Sequence, residues 1–242
     1  DGRKNDWYGG ISIWAANGET MNGADVYNNT VYMSQAGLYN SGIANLVGPN
    51  DSGVANNFRF RNNNIYVTNG VKLLRFDKDG SGMLFQGNNY HAVGTFNITW
   101  KGNTYSSLDA WRATGQEKLN GTNVGSQVNP LLVSPGGVGV DSYKLQSSSP
   151  LINTGLNLPS VFAINVGTRD YYGTTIPVGV YDVGFHEYSG VVSSPTPTVA
   201  PTATPPVNSC KSADINRDGI VDITDYSLLV IDFFKATPAK PG

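Results

Sequence analysis

The chain has 242 residues, of which 39% are hydrophobic, 11% aromatic and 14% charged, and its formal net charge is −2. This composition excludes disorder over most of the chain, and the lack of a basic excess argues against a nucleic-acid partner. No apolar run approaches the roughly 20 residues that cross a bilayer, so we expect no membrane span. Because the chain begins at Asp1 without a methionine or a signal-like segment, we expect a processed or truncated product.

Short β-favouring runs alternate with turns rich in glycine, asparagine and aspartate through the first hundred residues. The runs are Ile11–Trp14, Thr30–Met33, Phe58–Arg61, Ile65–Val67, Val71–Phe76 and Met83–Phe85. Helical periodicity is absent there, which predicts an all-β region. Phe58 and Phe60 alternate with two arginines, a pattern typical of a strand with one buried face.

A degenerate repeat favours one all-β architecture. Residues 26–32 (VYNNTVY) resemble residues 60–66 (FRNNNIY), and residues 85–90 (FQGNNY) are a weaker copy. Such self-similarity is typical of a β-solenoid whose coils stack about 4.8 Å apart, with a β-sandwich as the alternative. In a solenoid, Asn29, Asn63 and Asn88 would form a hydrogen-bond ladder at a turn, where asparagine tolerates left-handed backbone.

The sequence predicts one helix in this part of the chain, over Ser107–Thr114. Ser106 is the expected N-cap, and Asp109 three residues later completes a capping-box pattern. Leu108 and Trp111 share a helix face, so we expect that face to pack onto the β body.

Several spaced motifs follow, and together they resemble a known superfamily. They are Tyr105–Glu117, Asn129–Leu132, Tyr143–Leu145, Ser149–Gly155, Asp170–Gly173 and Asp182–Tyr188. In this order, over roughly residues 60–188, they resemble the carboxyl-terminal end of secreted right-handed parallel β-helix proteins of the pectin-lyase-like superfamily. The resemblance implies a parallel β-helix with an irregular C-terminal cap, in which turns and prolines at Pro130, Pro150 and Pro159 cover the last open edge. It does not fix a chemistry, since that superfamily includes lyases, hydrolases, epimerases and non-enzymatic surface proteins.

A change of composition marks the domain boundary. Residues 193–209 read SSPTPTVAPTATPPVNS, with five prolines and no charge, which predicts an extended tether. We therefore divide the chain into a β-helix domain (residues 1–190), a linker (191–209) and a small, helical C-terminal module (210–242). The single cysteine, Cys210, excludes an intrachain disulfide framework.

The C-terminal module contains the spacing of a twelve-residue calcium loop. Oxygen side chains occupy loop positions 1, 3, 5, 9 and 12, a glycine stands at position 6, and position 7 offers a backbone carbonyl. The expected ligands are Asp214, Asn216, Asp218, Ile220 through its carbonyl, Asp222 and Asp225. Residues 213–234 resemble one type I dockerin repeat, which implies calcium as the cofactor. Dockerins carry two repeats and one is visible here, so a cohesin-like protein and a second dockerin-like repeat both stay open as partners.

Other candidate site residues have a structural interpretation as well as a functional one. Arg59, Arg61, Lys72 and Arg75 could line one outer face and suit an anionic sugar, but ordinary solvated charge is the preferred interpretation. Trp7, Trp14, Tyr27, Tyr32 and Tyr66 could form a sugar-stacking platform, but coil stacking is preferred. His91 and His186 are solitary and are expected to be structural, and no pair of carboxylates stands out as a glycosidase acid and base.

The sequence as a whole predicts a secreted, extracellular protein that binds or degrades polysaccharide, with a calcium-binding module for attachment to a partner. Whether it is an enzyme, a polysaccharide lyase or a glycoside hydrolase, stays open, and no catalytic residue is assigned. The alternative is a non-catalytic adhesion solenoid at the cell surface.

Overall fold

The computed structural model describes residues 9–13, 15, 18–35, 40–45, 53–77 and 80–190. The strands are β1 (Gly9–Ile13), β2 (Thr20–Tyr27), β3 (Thr30–Met33), β4 (Ser41–Asn45), β5 (Val54–Arg61), β6 (Asn64–Val67), β7 (Lys72–Phe76), β8 (Leu84–Gln86), β9 (Asn89–Ala92), β10 (Ile98–Trp100), β11 (Asn103–Tyr105), β12 (Lys118–Leu119) and β13 (Thr122–Asn123). The helices are α1 (Leu108–Arg112) and α2 (Leu158–Phe162), with a 3-10 turn at Val140–Tyr143. Within these ranges, no helix has the length and apolar character needed to cross a membrane.

Most strands lie in three parallel sheets, so this part of the chain is all-β. Sheet A has the order β1-β4-β7-β10-β11, sheet B the order β2-β5-β8, and sheet C the order β3-β6-β9. Consecutive strands enter sheets A, B and C in turn, and each strand pairs with the strand three places later. Strand β11 is the exception, because it returns antiparallel to β10 at the edge of sheet A.

The register of the sheets aligns the copies of the sequence repeat. In sheet B, Val26 pairs with Phe60, and Phe60 pairs with Phe85. In sheet C, Val31 pairs with Ile65, which pairs with Tyr90. The repeat recognised in the sequence is therefore confirmed as a structural repeat, with like residues side by side in neighbouring strands.

The main core lies between the three sheets and is rich in aromatic rings. Phe60 and Phe85 stack with ring centroids 4.5 Å apart, and Phe76 meets both rings edge-on. Trp100 continues the cluster from sheet A, and all four side chains are buried. Aromatic contacts of this kind add to the free energy gained by burying apolar surface.

Helix α1 covers one end of this core. Leu108 and Trp111 are its buried residues, and the Trp111 ring contacts Phe85. The helix and its buried face confirm the sequence prediction, but the predicted cap was wrong by one residue. The Ser107 hydroxyl accepts the hydrogen bond from the Ala110 amide, because Ser107 has the extended backbone that an N-cap requires.

The chain after α1, residues 113–190, is called the C-terminal segment and covers the outer face of sheet C. Tyr66 on that face packs with Leu132, Leu145, Leu151 and Val183 in a second hydrophobic cluster. The same part of the chain also covers strand edges, as expected, because Glu117 bonds to Phe85 beside β8 and Ser126 bonds to Asn88 and Tyr90 beside β9, while β11 covers the edge of β10. Of the prolines expected at that edge, Pro150 lies beside Gly87 and Ser126, and Pro159 stands in the first turn of α2.

Candidate functional site

A ladder of asparagines fixes the turn between sheets B and C. The Asn29 Nδ2 donates to Asn63 Oδ1 at 2.9 Å, and the Asn63 Nδ2 donates to Asn88 Oδ1 at the same distance. The residues before the first two asparagines, Asn28 and Asn62, have positive φ, where asparagine is better tolerated than most residues. The ladder predicted from the repeat is thus confirmed, and it holds Asn28 and Asn29 at a fixed position on the surface.

The buried carboxylate of Glu117 ends the ladder. Asn88 donates to it through Nδ2 at 2.7 Å, and the Tyr90 hydroxyl donates to the same oxygen at 2.7 Å. Burial raises the pKa of Glu117 to about 7, an effect that these hydrogen bonds oppose. Glu117 therefore acts as a structural acceptor for the last rung.

Three carboxylates organise the loops of the C-terminal segment. Asp170 accepts hydrogen bonds from the amides of Tyr172, Thr174 and Glu187. Both oxygens of Asp182 accept backbone amides, and so do both oxygens of Glu187. The carboxylates thus replace regular secondary structure as the partners of this backbone.

A pocket of about 270 Å³ lies where this segment meets the asparagine turn. Its aromatic lining is Tyr27, Tyr171, Tyr181 and Phe185. Tyr171 is 65% exposed and its ring centroid lies 5.5 Å from that of Phe185. Such a volume is close to the lower end of the range typical of small-molecule sites.

Polar groups line the same pocket. They are Asn28, Asn29, Arg169 and the three carboxylates of Asp170, Asp182 and Glu187. The Asn28 Oδ1 is buried and accepts no hydrogen bond from any residue that the structure describes. The Arg169 guanidinium donates to the Gly173 carbonyl and is otherwise on the exposed side. The pocket thus combines ring faces with hydrogen-bonding groups.

Burial alters the proton affinity of two of these carboxylates. Asp182 and Glu187 are each 4% exposed. Desolvation raises the pKa of Asp182 to about 6, and it also raises the pKa of Glu187, with the Asp170 charge adding to both shifts. These acids therefore bind a proton more readily than exposed carboxyl groups do.

The tyrosines that the sequence offered as a stacking platform are not on one surface. Tyr32 and Tyr66 pair in sheet C with ring centroids 5.2 Å apart, and Tyr66 meets His91 at 4.6 Å. The C-terminal segment covers that face, so these rings serve packing between neighbouring strands of sheet C and in the second hydrophobic cluster. Tyr27 lies in sheet B and reaches the pocket, while Trp7 and Trp14 lie outside the described residues.

The four basic residues that could have lined one face are divided between two sheets. Arg59 and Arg61 are on β5 in sheet B, and Lys72 and Arg75 are on β7 in sheet A. Arg61 is 5% exposed, because it pairs with Asp25 and the Phe162 ring covers its guanidinium at 3.8 Å. One basic face built from all four residues is therefore wrong, and the preferred interpretation, solvated charge, is wrong for Arg61.

The two histidines have packing partners. The His186 Nδ1 accepts the Leu145 amide at 2.9 Å, and His91 packs against Tyr66. The predicted calcium ligands, Asp214, Asn216, Asp218, Ile220, Asp222 and Asp225, lie outside the described residues, as do the linker and Cys210. In the part of the chain that the structure describes, no group of three or more His, Cys, Asp or Glu side chains is arranged to hold a metal ion.

The sequence did not predict the pocket, although six of its thirteen lining residues belong to two of the sequence motifs. The runs Asp170–Gly173 and Asp182–Tyr188 both combine carboxylates with aromatic rings, and that shared composition was the available signal. The two runs are separated along the sequence, so their contact could not be predicted from a local pattern. No protein family, curated protein or solved structure matches this chain.

Proposed function

We propose that the chain is the C-terminal part of a secreted parallel β-helix protein that binds extracellular polysaccharide through the pocket beside the asparagine turn. The pocket itself carries the proposal. Sugars present C–H faces that stack on aromatic rings and hydroxyl groups that need polar partners. Tyr171 and Phe185 supply ring faces, and Asn28, Asn29 and Arg169 add polar groups to the lining.

The parallel β-helix part of this proposal is supported by the strand order. Three parallel sheets receive the strands in turn, and the asparagine ladder connects equivalent turns in consecutive rounds. Both features are expected where coils stack. The sequence motifs that resemble the pectin-lyase-like superfamily point the same way.

The pocket supports binding better than cleavage. A glycosidase acid must deliver its proton to the leaving oxygen, and its partner carboxylate must reach water or the sugar. Each oxygen of Asp182 and Glu187 already accepts a backbone amide, and both side chains are buried. Attachment to a polysaccharide without cleavage, as in an adhesion solenoid, is therefore the function that the described residues favour.

Glycan binding by Tyr171 variants tests the proposal. Tyr171→Ala removes the exposed ring and should weaken binding about tenfold, while Tyr171→Phe keeps the ring and should bind as the wild type does. Val138→Ala is a matched surface control, because Val138 is fully exposed and does not line the pocket. Calorimetry on soluble oligosaccharides measures the affinities. Equal affinity of the wild type and Tyr171→Ala would remove the pocket from consideration.

Cleavage is tested with the same glycans. We expect no new reducing ends, which either kind of cleavage would produce, and no ultraviolet absorbance from an unsaturated product, which a lyase alone would produce. If glycan cleavage stays with the protein through purification, the protein is an enzyme and the binding-only proposal is overturned.

The C-terminal module is proposed to bind calcium and to attach the protein to a partner, either a cohesin-like protein or a second dockerin-like repeat. The support is the sequence spacing of Asp214, Asn216, Asp218, Asp222 and Asp225, which is the spacing by which a twelve-residue calcium loop supplies side-chain oxygens to its cation. Secretion fits this pairing, because extracellular calcium is abundant enough to occupy modest sites.

Calcium titration of the full chain tests the module. Calcium should produce a calorimetric binding signal that a chelator reverses, and Asp214→Ala should abolish it. Asp109→Ala is the control, because Asp109 is an exposed carboxylate on α1 far from the loop in sequence. An unchanged signal in Asp214→Ala would refute the ligand set.

A further inference from the structure

We propose that the pocket selects uncharged saccharides and rejects uronates. This inference rests on the proposed polysaccharide binding and adds the class of sugar. The geometry behind it is the lining, which brings the carboxyl groups of Asp170, Asp182 and Glu187 to one small cavity. A sugar acid placed there would bring a fourth carboxylate into the cluster.

The acidic character of the pocket is not neutralised by ion pairs. No cationic side chain lies in ion-pair contact with Asp170, Asp182 or Glu187 among the residues that the structure describes. Their hydrogen-bond partners are backbone amides, which orient the carboxyl groups without removing their charge. Asp182 and Glu187 are also held in place by the fold and cannot turn away from an incoming anion.

Arg169 is the cationic residue in the described lining. Its guanidinium donates to the Gly173 carbonyl, and the residue is exposed. The described lining therefore holds one solvated cation and three carboxyl groups. A like charge built into a site is a common means of rejecting a close analogue of the ligand, and repulsion is stronger where water is partly excluded.

Matched sugar pairs test this inference without any change to the protein. The members of each pair have the same linkage and anomeric configuration and differ only in the group at C6: galactan with galacturonan, glucan with glucuronan and mannan with mannuronan oligosaccharides. At pH 7.5 and 20 mM salt, we expect the neutral member of the pair that binds to have at least tenfold higher affinity by calorimetry. Equal or tighter binding of the acid overturns the inference while the proposed binding function stands. Binding of neither member in all three pairs overturns both.

Salt supplies an independent measurement, since it screens exposed charges. Raising the salt from 20 mM to 500 mM should reduce the ratio of neutral-sugar affinity to uronate affinity severalfold. The affinity for the uronate should rise, and the affinity for the neutral sugar should stay nearly unchanged. Arg169→Ala should widen the preference at low salt, and Arg169→Lys, which keeps the charge, should leave it as in the wild type. If neither salt nor the charge of Arg169 changes this ratio, charge repulsion is not the cause of the preference.

Discussion

Asn63 uses every polar atom of its side chain in the stack of turns. Its Oδ1 accepts the amide and the Nδ2 of Asn29, and its Nδ2 donates to the Val26 carbonyl and to Asn88 Oδ1. The side chain is fully buried. A buried polar group costs free energy unless it is paired, so Asn63 both satisfies its own polar atoms and holds Asn29 and Asn88 in line on the two neighbouring turns.

Asn63→Ala should therefore lower the free energy of unfolding by about 2–3 kcal/mol, because it leaves buried groups on two neighbouring turns without partners. Chemical denaturation measures the loss. Asn103→Ala is the control, since the exposed Asn103 bonds only to a neighbouring carbonyl, and it should change stability by less than about 0.5 kcal/mol. Similar losses in the two variants would contradict the role given to the ladder.

At the scale of the element, α1 shows how a short helix depends on its first residue. It has five residues, too few to be stable alone, and its stability comes from the cap and from packing. Ser107→Ala should cost about 1 kcal/mol in thermal or chemical unfolding, because the Ala110 amide loses its acceptor.

The neighbouring serine is the matched control for this prediction. Ser106→Ala should be nearly neutral, since Ser106 is exposed and does not cap the helix. If Ser106→Ala lowered the free energy of unfolding more than Ser107→Ala, Ser106 would be the N-cap, as the sequence pattern predicts.

The strands also show which sequence signals are enough to predict a strand and its bounds. Thr30–Met33 was predicted with its observed bounds, because the apolar run and the flanking turns agree. Strands β2 and β4 were missed, since β2 is rich in polar residues and β4 (SGIAN) consists largely of small ones. Parallel neighbours on both sides hold β4, and that context is not visible in five residues.

The whole molecule contains buried acids that make its stability depend on pH. The folded-state pKa of Glu117 is about 7, above its ordinary value of 4.5, so the folded protein binds a proton more tightly than the unfolded chain. The stability contributed by Glu117 is therefore fully present below pH 4.5 and declines as pH rises to about 7. Asp182, with a pKa of about 6, acts in the same direction.

The comparison with Glu117→Gln isolates this effect. His91 and His186 have lowered pKa values through burial, so they favour folding as pH rises towards 6.5 and oppose the carboxyl groups. The stability of the wild type relative to Glu117→Gln should fall by on the order of 1–3 kcal/mol between pH 4.5 and pH 7.5. Denaturation across this range measures it. A difference that grows with pH would show that the hydrogen bonds to Glu117 outweigh its burial.

The sequence was informative about the repeating part of the molecule and less so about the pocket. Ladder positions such as Asn63 are visible because repetition places like residues at like positions. The outward side of a strand is harder to assign, since Arg61 follows the alternation of an exposed residue but is covered by Phe162 from a distant segment. The pocket depends on such long-range contacts, and no local pattern encodes them.

A crystal structure of the chain with a bound neutral oligosaccharide tests the central claim most directly, because it reports the fold and the site together. We predict a sugar ring stacked beside Tyr171 and Phe185 and hydrogen-bonded to polar groups of the pocket lining, with Asn29, Asn63 and Asn88 still forming one ladder. A sugar bound elsewhere on the molecule with the pocket empty, or strands paired antiparallel in sheets B and C, would contradict the account.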